Sequence, residues 1–307
     1  MSIFEDKQVE PMLIGVEGEP FDSDDYFYEL KLDGERCIAF LDKSCTELRN
    51  KRNKKMLPHV PELSNIHECV QTKCILDGEL IVIKDGKPDF YEIQRRSLMS
   101  NPLKIKIASE KYPACFTAYD ILYYKDKPVM DLPLTERKKL LQKAVKKETP
   151  LFAVSRVVEK KCTALFELTK QQDLEGVVAK LKDSKYYLGK RTKDWIKIKN
   201  LIDEDFVVCG YIKKEKGIIS LVLGQYRDGE LVSKGHVTLG VSSTIYKSIE
   251  KLEKAEAPFE EDDRTVWVKP VLVCTVKYMM KTNSGGMRQP VLKGLRYDKL
   301  PEECVER

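Results

Sequence analysis

The sequence predicts an α+β chain in two parts, a larger first domain of antiparallel sheets and helices followed by a smaller barrel of short strands. Two observations carry this. Up to about residue 200, strand-like runs at 26–31, 37–41, 75–83 and 116–124 alternate with helical patterns at 134–147 and 163–172. From Phe206 onward the runs become short strands at 206–213, 218–226, 230–238, 266–268 and 271–280, interrupted by one helix at 243–254. Five short strands and one helix in about 100 residues suit a small Greek-key barrel of the OB type. The join falls at Asn200-Leu201-Ile202-Asp203, which sets domains of 1–201 and 202–307. The first 25 residues, with several Gly, Pro and Asp, read as irregular.

Composition narrows the class. A hydrophobic fraction of 42% is ordinary for a globular core. The apolar run at 75–83 is broken by Asp77 and Glu79, and no run is long enough to span a bilayer. The start, Met1-Ser2-Ile3-Phe4-Glu5-Asp6, lacks the basic segment and apolar stretch of a signal peptide. A cytoplasmic protein without a membrane partner is expected. The nine cysteines are scattered, with no Cys-x-x-Cys pair, and read as reduced thiols, most of them buried. His59, His67 and His236 have no metal-ligand spacing. The net charge of +5 decides little, but eight basic and two acidic residues lie between Lys180 and Lys199. Clustered cations of that kind can hold phosphates. The Lys-rich stretch at 137–147 reads instead as a solvated helix face.

The chemistry concentrates at Tyr26 to Phe40. Two strand-forming runs flank Asp33-Gly34, a strong turn signal. Alternation puts Glu29 and Lys31 on one face of the first strand, and Arg36 opens the second, so an amine, a carboxylate and a guanidinium converge. A surface hairpin with ordinary ion pairs would look the same. Three further segments tip the balance. Leu76-Asp77-Gly78-Glu79-Leu80 places two carboxylates in an apolar strand, costly unless they pair or bind a cation. Glu175 and Lys180 bracket the apolar Val177-Val178-Ala179. In Trp195-Ile196-Lys197-Ile198-Lys199 the two lysines share one strand face, which is unfavourable unless an anion such as a triphosphate lies between them.

Taken in order, these segments resemble the covalent nucleotidyltransferase superfamily of ATP-dependent DNA ligases, RNA ligases and mRNA-capping guanylyltransferases. Lys31 to Arg36 resembles the nucleophile motif. Arg52-Asn53 with Pro61-Glu62-Leu63 resembles the ribose-contacting segment, with Arg49-Asn50 a rival register. Asp77-Gly78-Glu79 resembles the third motif, and Phe116 to Leu122 the segment whose aromatic stacks on adenine. Phe116 and Tyr119 compete for that role, and Phe116 is preferred. Glu175 to Lys180 and Trp195 to Lys199 resemble the fourth and fifth motifs. Arg288 to Lys299 resembles the closing motif of ligase OB domains, with Lys293 where related ligases often carry arginine.

The resemblance implies a lysyl-AMP on Lys31, transfer of AMP to a 5′-phosphate, and sealing by a 3′-hydroxyl. It implies ATP contacts from Glu29, Lys31, Arg36, Arg52, Glu79, Phe116, Lys180, Lys197 and Lys199 in the first domain. Arg296, Asp298 and Lys299 would act on pyrophosphate. Glu79 and Glu175 would hold Mg²⁺ or Mn²⁺. The implied partner is nicked duplex DNA, with DNA-end-binding or other repair proteins as further candidates, and the chain is expected to be a monomer. DNA repair, recombination and replication are the implied settings. The DNA ligase reading is favoured by the fourth to sixth motifs and by the likeness of 206–240 to ligase modules of bacterial end-joining enzymes. RNA ligase is the runner-up, ahead of guanylyltransferase, and a non-catalytic nucleic-acid-binding module is the alternative outside catalysis. With Lys31 so early, no room is expected for the helical DNA-binding domain of eukaryotic-type ligases.

Overall fold

The computed structural model describes residues 2–282 and 285–306 and falls into two compact units, Met1–Asn200 and Leu201–Arg307. Among the described residues, no helix is long and apolar enough to cross a membrane. All nine cysteines are free thiols, and seven of them are buried.

The first unit holds two sheets. One runs in the order Leu13–Glu17, Arg191–Lys199, Gly176–Leu181, Tyr26–Leu30, Val158–Glu159. The main path of the other runs Thr46–Asn50, Glu35–Leu41, Cys74–Lys84, Ala114–Tyr124, Lys127–Pro128. Alternation gives each sheet two different faces. In the first sheet, Tyr28, Val177, Ala179 and Ile198 pack with Cys162 and Phe166 of the Cys162–Gln171 helix. In the second, Leu76, Leu80, Phe116 and Ala118 pack with Ile93 and Leu141 from the Phe90–Ser97 and Leu134–Ala144 helices. The remaining faces look at each other. Val178 and Trp195 of one sheet share a cluster with Ile38, Phe40, Ile75 and Leu122 of the other. Beyond that apolar contact the same two faces carry the charged residues of the motifs.

Several expectations are corrected here. The first 25 residues are not irregular throughout. Ile3–Asp6 is a short helix capped by Ser2, and Leu13–Glu17 pairs in parallel with Arg191–Lys199. A parallel partner so distant in sequence leaves no hairpin signal. The Phe90–Ser97 and Pro102–Lys111 helices were not anticipated, although Asp89 and Asn101 cap them and Pro102 opens the second. The 134–147 helix ends at Ala144 and is not simply solvated: Arg137 is fully buried and paired with Asp120 at 2.9 Å.

The second unit is a five-stranded sheet in the order Glu230–Val237, Ile219–Arg227, Ile202–Lys213, Val266–Tyr278, Val291–Arg296. A parallel bridge from Leu239 to Val291 brings its two edges together. The Ser243–Glu250 helix follows Glu230–Val237 and precedes Val266–Tyr278 in the chain, and it buries Ile249 against the core. That is the OB arrangement. Two expected strands, 266–268 and 271–280, are one strand. Pro270 has no N–H to donate, and pairing with Ile202–Lys213 skips from Trp267 to Leu272 around it. The fifth strand is Val291–Arg296, which had not been read as a strand.

Candidate active site

Lys31 lies one residue past the Tyr26–Leu30 strand, and its N–H donates to the Gly176 carbonyl at 2.8 Å. Gly176 adopts a positive φ of 136°, and a Cβ there would lie 2.1 Å from the Ile198 carbonyl oxygen. Only glycine fits so close an approach. The consequence is a cluster at one end of the sheet. Glu175 precedes Gly176, Lys199 is the cross-strand partner of Gly176, and Lys31 Nζ sits 2.7 Å from Glu175 Oε1.

The facing sheet brings Arg36 opposite Glu79. Arg36 is not free: Nε donates to Asp77 Oδ1 at 3.0 Å and Nη2 to Oδ2 at 2.6 Å. Burial works against the guanidinium charge, but Asp77 beside it outweighs burial and keeps Arg36 firmly protonated. The Tyr186 hydroxyl donates to the same carboxylate at 2.7 Å. Glu79 behaves differently. Burial pushes its carboxyl up to about 8, helped by Glu175 and Asp77 and opposed by Lys31 and Arg36. A carboxyl pushed up in part by a neighbouring carboxylate is suited to share a cation with it.

Glu29 is fully enclosed. Lys138 Nζ lies 2.5 Å and Lys180 Nζ 3.0 Å from its Oε1. Burial would raise the carboxyl, yet the two lysines outweigh it and hold Glu29 below the usual carboxylate range. Lys180 is itself buried, and burial lowers it to about 8 against the pull of Glu29. Its ammonium lies 4.3 Å from the ring centroids of both Tyr119 and Trp195. Lys180, expected to contact ATP, is here a partner of Glu29 and of two rings.

Lys197 and Lys199 share a face as read from the sequence. The anion they hold here is Glu17, whose Oε2 lies 3.3 Å from Lys197 and 3.4 Å from Lys199. Burial raises Glu17, but the lysines outweigh it and lower its carboxyl.

Phe116, expected to stack on adenine, lies off the charged face. It is fully buried, packed on Phe152 at 6.1 Å between centroids. A Cβ on Gly78 would lie 2.6 Å from the Phe116 ring, so the glycine of Asp77-Gly78-Glu79 makes room for it. Thr117, not Phe116, pairs with Glu79, which puts Phe116 on the opposite face from Glu79. Tyr119 is the half-buried aromatic on the charged face, with the Arg36 guanidinium 5.7 Å from its ring centroid.

Arg52 is exposed in the turn after Thr46–Asn50, its N–H donating to Asn50 Oδ1 at 3.0 Å. Arg49 instead braces that turn, bonding the Asn53 carbonyl at 3.1 Å. In the second unit Arg296 clasps Asp298 through bonds of 2.8 and 2.7 Å, and Lys299 pairs with Asp205 at 2.8 Å. Glu29, Lys31, Arg36, Glu79, Glu175, Lys180, Lys197 and Lys199 thus collect in the first unit, while Arg296, Asp298 and Lys299 stand in the second. Among the described residues, no group of three or more His, Cys, Asp or Glu side chains is placed to hold a metal.

The sequence reading missed Glu17, Asp77 as the anchor of Arg36, Lys138, Tyr186 and Asp205. Lys138 left a signal: it falls on the same helix face as Leu134, Leu141 and Ala144.

Two family models cover most of the chain. The ATP dependent DNA ligase domain matches residues 17–199, and the ATP dependent DNA ligase C terminal region matches residues 214–299. The SPbeta prophage-derived DNA ligase-like protein LigB of Bacillus subtilis is 29% identical over 289 residues, covering 94% of this chain and 99% of that protein. DNA ligase C1 of Mycolicibacterium smegmatis is 30% identical over 325 residues, 97% of this chain and 92% of its own. A solved structure of mycobacterial DNA ligase D complexed with ATP and MES superposes with a TM-score of 0.57 at 26% identity, covering 98% of this chain and 99% of that one. An antiparallel two-sheet unit with an OB unit, matched in this way, is the fold of the nucleotidyltransferase superfamily. Within it, the chain belongs to the ATP-dependent DNA ligase family.

Proposed function

We propose that this chain seals nicks in duplex DNA through a covalent AMP on Lys31. The observation that carries the reading is the Lys31–Glu175 contact of 2.7 Å, at a sheet end shared with Lys199 and facing Glu79. The Lys31 amine, once unprotonated, attacks the α-phosphorus of ATP. A phosphorus–nitrogen bond forms, the bond to pyrophosphate breaks, and the electron pair leaves with pyrophosphate. Glu175 aims the amine before attack. Lys197 and Lys199 exchange Glu17 for phosphate oxygens, as lysine pairs do when a stronger anion arrives. Arg36, held by Asp77 and Tyr186, offers a fixed guanidinium edge. Glu29 and Tyr119 address the base, and exposed Arg52 is free to turn toward the ribose. Arg296 and Lys299 act on pyrophosphate once they have exchanged Asp298 and Asp205 for it, and Asp298 serves there by orienting Arg296. The AMP then passes to the 5′-phosphate of a nick, and the 3′-hydroxyl displaces it.

The family implies a divalent metal, and the donor chemistry of Glu79 and Glu175 fits one. A bound Mg²⁺ or Mn²⁺ would supply Lewis-acid charge beside the amine and the α-phosphate. The raised Glu79 provides a test that does not need turnover. Between its ordinary value of 4.5 and its folded value of about 8, the folded chain keeps a proton that the unfolded chain releases, so stability falls as pH rises through that window. Gln mimics the protonated acid. E79Q is expected to melt with the wild type at the low end of the window and above it at the high end. Mg²⁺ raises the wild-type melting temperature at the high end more than that of E79Q. Equal melting curves at both ends, with and without Mg²⁺, count against this use of Glu79.

The reaction itself is tested by a chase. Incubation with α-labelled ATP is expected to yield a labelled protein that survives denaturing electrophoresis and alkali but loses its label in warm acid, as a lysine phosphoramidate does. Adding nicked duplex DNA then removes the label and yields sealed strands. A labelled protein that discharges onto nicked RNA and not onto nicked DNA overturns the DNA reading.

A further inference from the structure

Lys138 reaches the charged cluster from a helix, the Leu134–Ala144 segment. Its ammonium donates to two groups, Glu29 Oε1 at 2.5 Å and the Tyr119 carbonyl oxygen at 2.7 Å. It is only 12% exposed. The helix itself is pinned. Its preceding residue, Arg137, is fully buried, pairs with Asp120 and donates to the Ser184 carbonyl at 2.7 Å. The backbone that carries Lys138 is therefore held in place. Lys180 also contacts Glu29 through Oε1, at 3.0 Å. Glu29 Oε2 is left buried, with no hydrogen-bond partner among the described residues.

An ionised carboxylate only accepts hydrogen bonds. At a purine edge it suits the 6-amino group of adenine, a donor, and repels the 6-carbonyl of guanine, an acceptor. The Tyr119 ring is linked to the same carboxylate through Lys180, and the Tyr119 backbone through Lys138. We propose that Lys138 is a positioning residue for the nucleobase: by binding the Glu29 carboxylate and the Tyr119 backbone to one ammonium, it aims Oε2 and sets the preference for a purine bearing a 6-amino group. This rests on the placing of Glu29 and Tyr119 at the base given above. Lys138 does not itself touch the nucleotide. Its loss lets Glu29 rotate toward Lys180 and uncouples the acceptor from the ring.

The test uses the full chain and measures formation of the covalent AMP adduct. K138M keeps the aliphatic stem and removes the ammonium. It is expected to raise the KM for ATP by about tenfold while kcat stays within about threefold. The wild-type preference for ATP over purine riboside triphosphate, which lacks the 6-amino group, shrinks by a similar factor. K138R restores both. Unchanged KM and unchanged preference overturn the proposal. So does a fall in kcat that is equal for both nucleotides and not rescued by arginine, since that marks a purely structural contribution. If K138M does not fold, K138Q is measured and judged by the same outcomes. A wild-type chain that forms the adduct but treats the two nucleotides alike refutes the placing of Glu29 at the base, which is a separate failure.

Discussion

Lys31→Ala leaves a folded chain that forms no covalent AMP adduct, with labelling expected below about one-thousandth of wild type. No neighbour can substitute. Lys180 is enclosed by Glu29, Tyr119 and Trp195. Lys197 and Lys199 are drawn to Glu17, across the sheet from Lys31. Lys138 is drawn to Glu29. The Lys31 side chain is 22% and that of Glu175 7% exposed, so K31A takes this lysine from a largely buried carboxylate and should lower the melting temperature. A melting curve that still shows a folded chain at the labelling temperature separates lost chemistry from unfolding. The same variant is expected to seal a nick whose 5′-phosphate already carries AMP, because that step needs no lysine nucleophile. Gel analysis with α-labelled ATP and a pre-adenylated nick checks both halves. An adduct of wild-type intensity in K31A would sink the assignment of Lys31.

Tyr119→Ala and Phe116→Ala should fail in opposite ways. Phe116 is fully buried against Phe152, and its removal opens a cavity costing about 3–5 kcal/mol. Whatever F116A remains folded should bind ATP with a nearly normal KM. Tyr119 is half-buried and faces the charged cluster. Stacking on a base is worth about 1–3 kcal/mol, so Y119A should raise the KM for ATP by about 5- to 150-fold. Its melting temperature should fall less than that of F116A, and Y119F should behave almost as wild type. Melting curves and adenylation kinetics on the three variants decide it. A normal KM in Y119A beside a raised one in F116A would return the role to Phe116.

The contrast between those two aromatics shows where the sequence was legible. The turn at Asp33-Gly34, the shared face of Lys197 and Lys199, and the approach of Glu29, Lys31 and Arg36 all follow from local periodicity. Period two also separates Phe116 from Tyr119, which lie an odd number of residues apart in one strand, yet motif likeness pointed to Phe116, which the strand turns away from the charged face. Charge pairing was less visible. Which anion sits on Lys197 depends on Leu13–Glu17 lying parallel to a strand far along the chain, and no local pattern encodes that. Lys138 was hidden differently. It shares a helix face with Leu134, Leu141 and Ala144, but its neighbours Lys139, Lys143 and Lys146 made a solvated surface the natural reading, and packing shows that this one turns inward. In the second unit, Pro270 split one strand into two apparent ones, while Pro290 and Gly294 disguised the last.

The strands of the first unit also have a bearing on how this protein can change over generations. Along Gly176–Leu181 and Arg191–Lys199, one face holds Val177, Ala179 and Ile198 in a dry cluster, and the other presents Lys180, Lys197 and Lys199. Adjacent positions therefore answer to different selection. A drifting lineage can trade charges on one face, altering which nucleotide or nucleic acid it prefers, without disturbing the hydrophobic neighbours one residue away. Heritable novelty and foldedness are interleaved on the same few residues, and they are insulated from each other by the pleat of the strand.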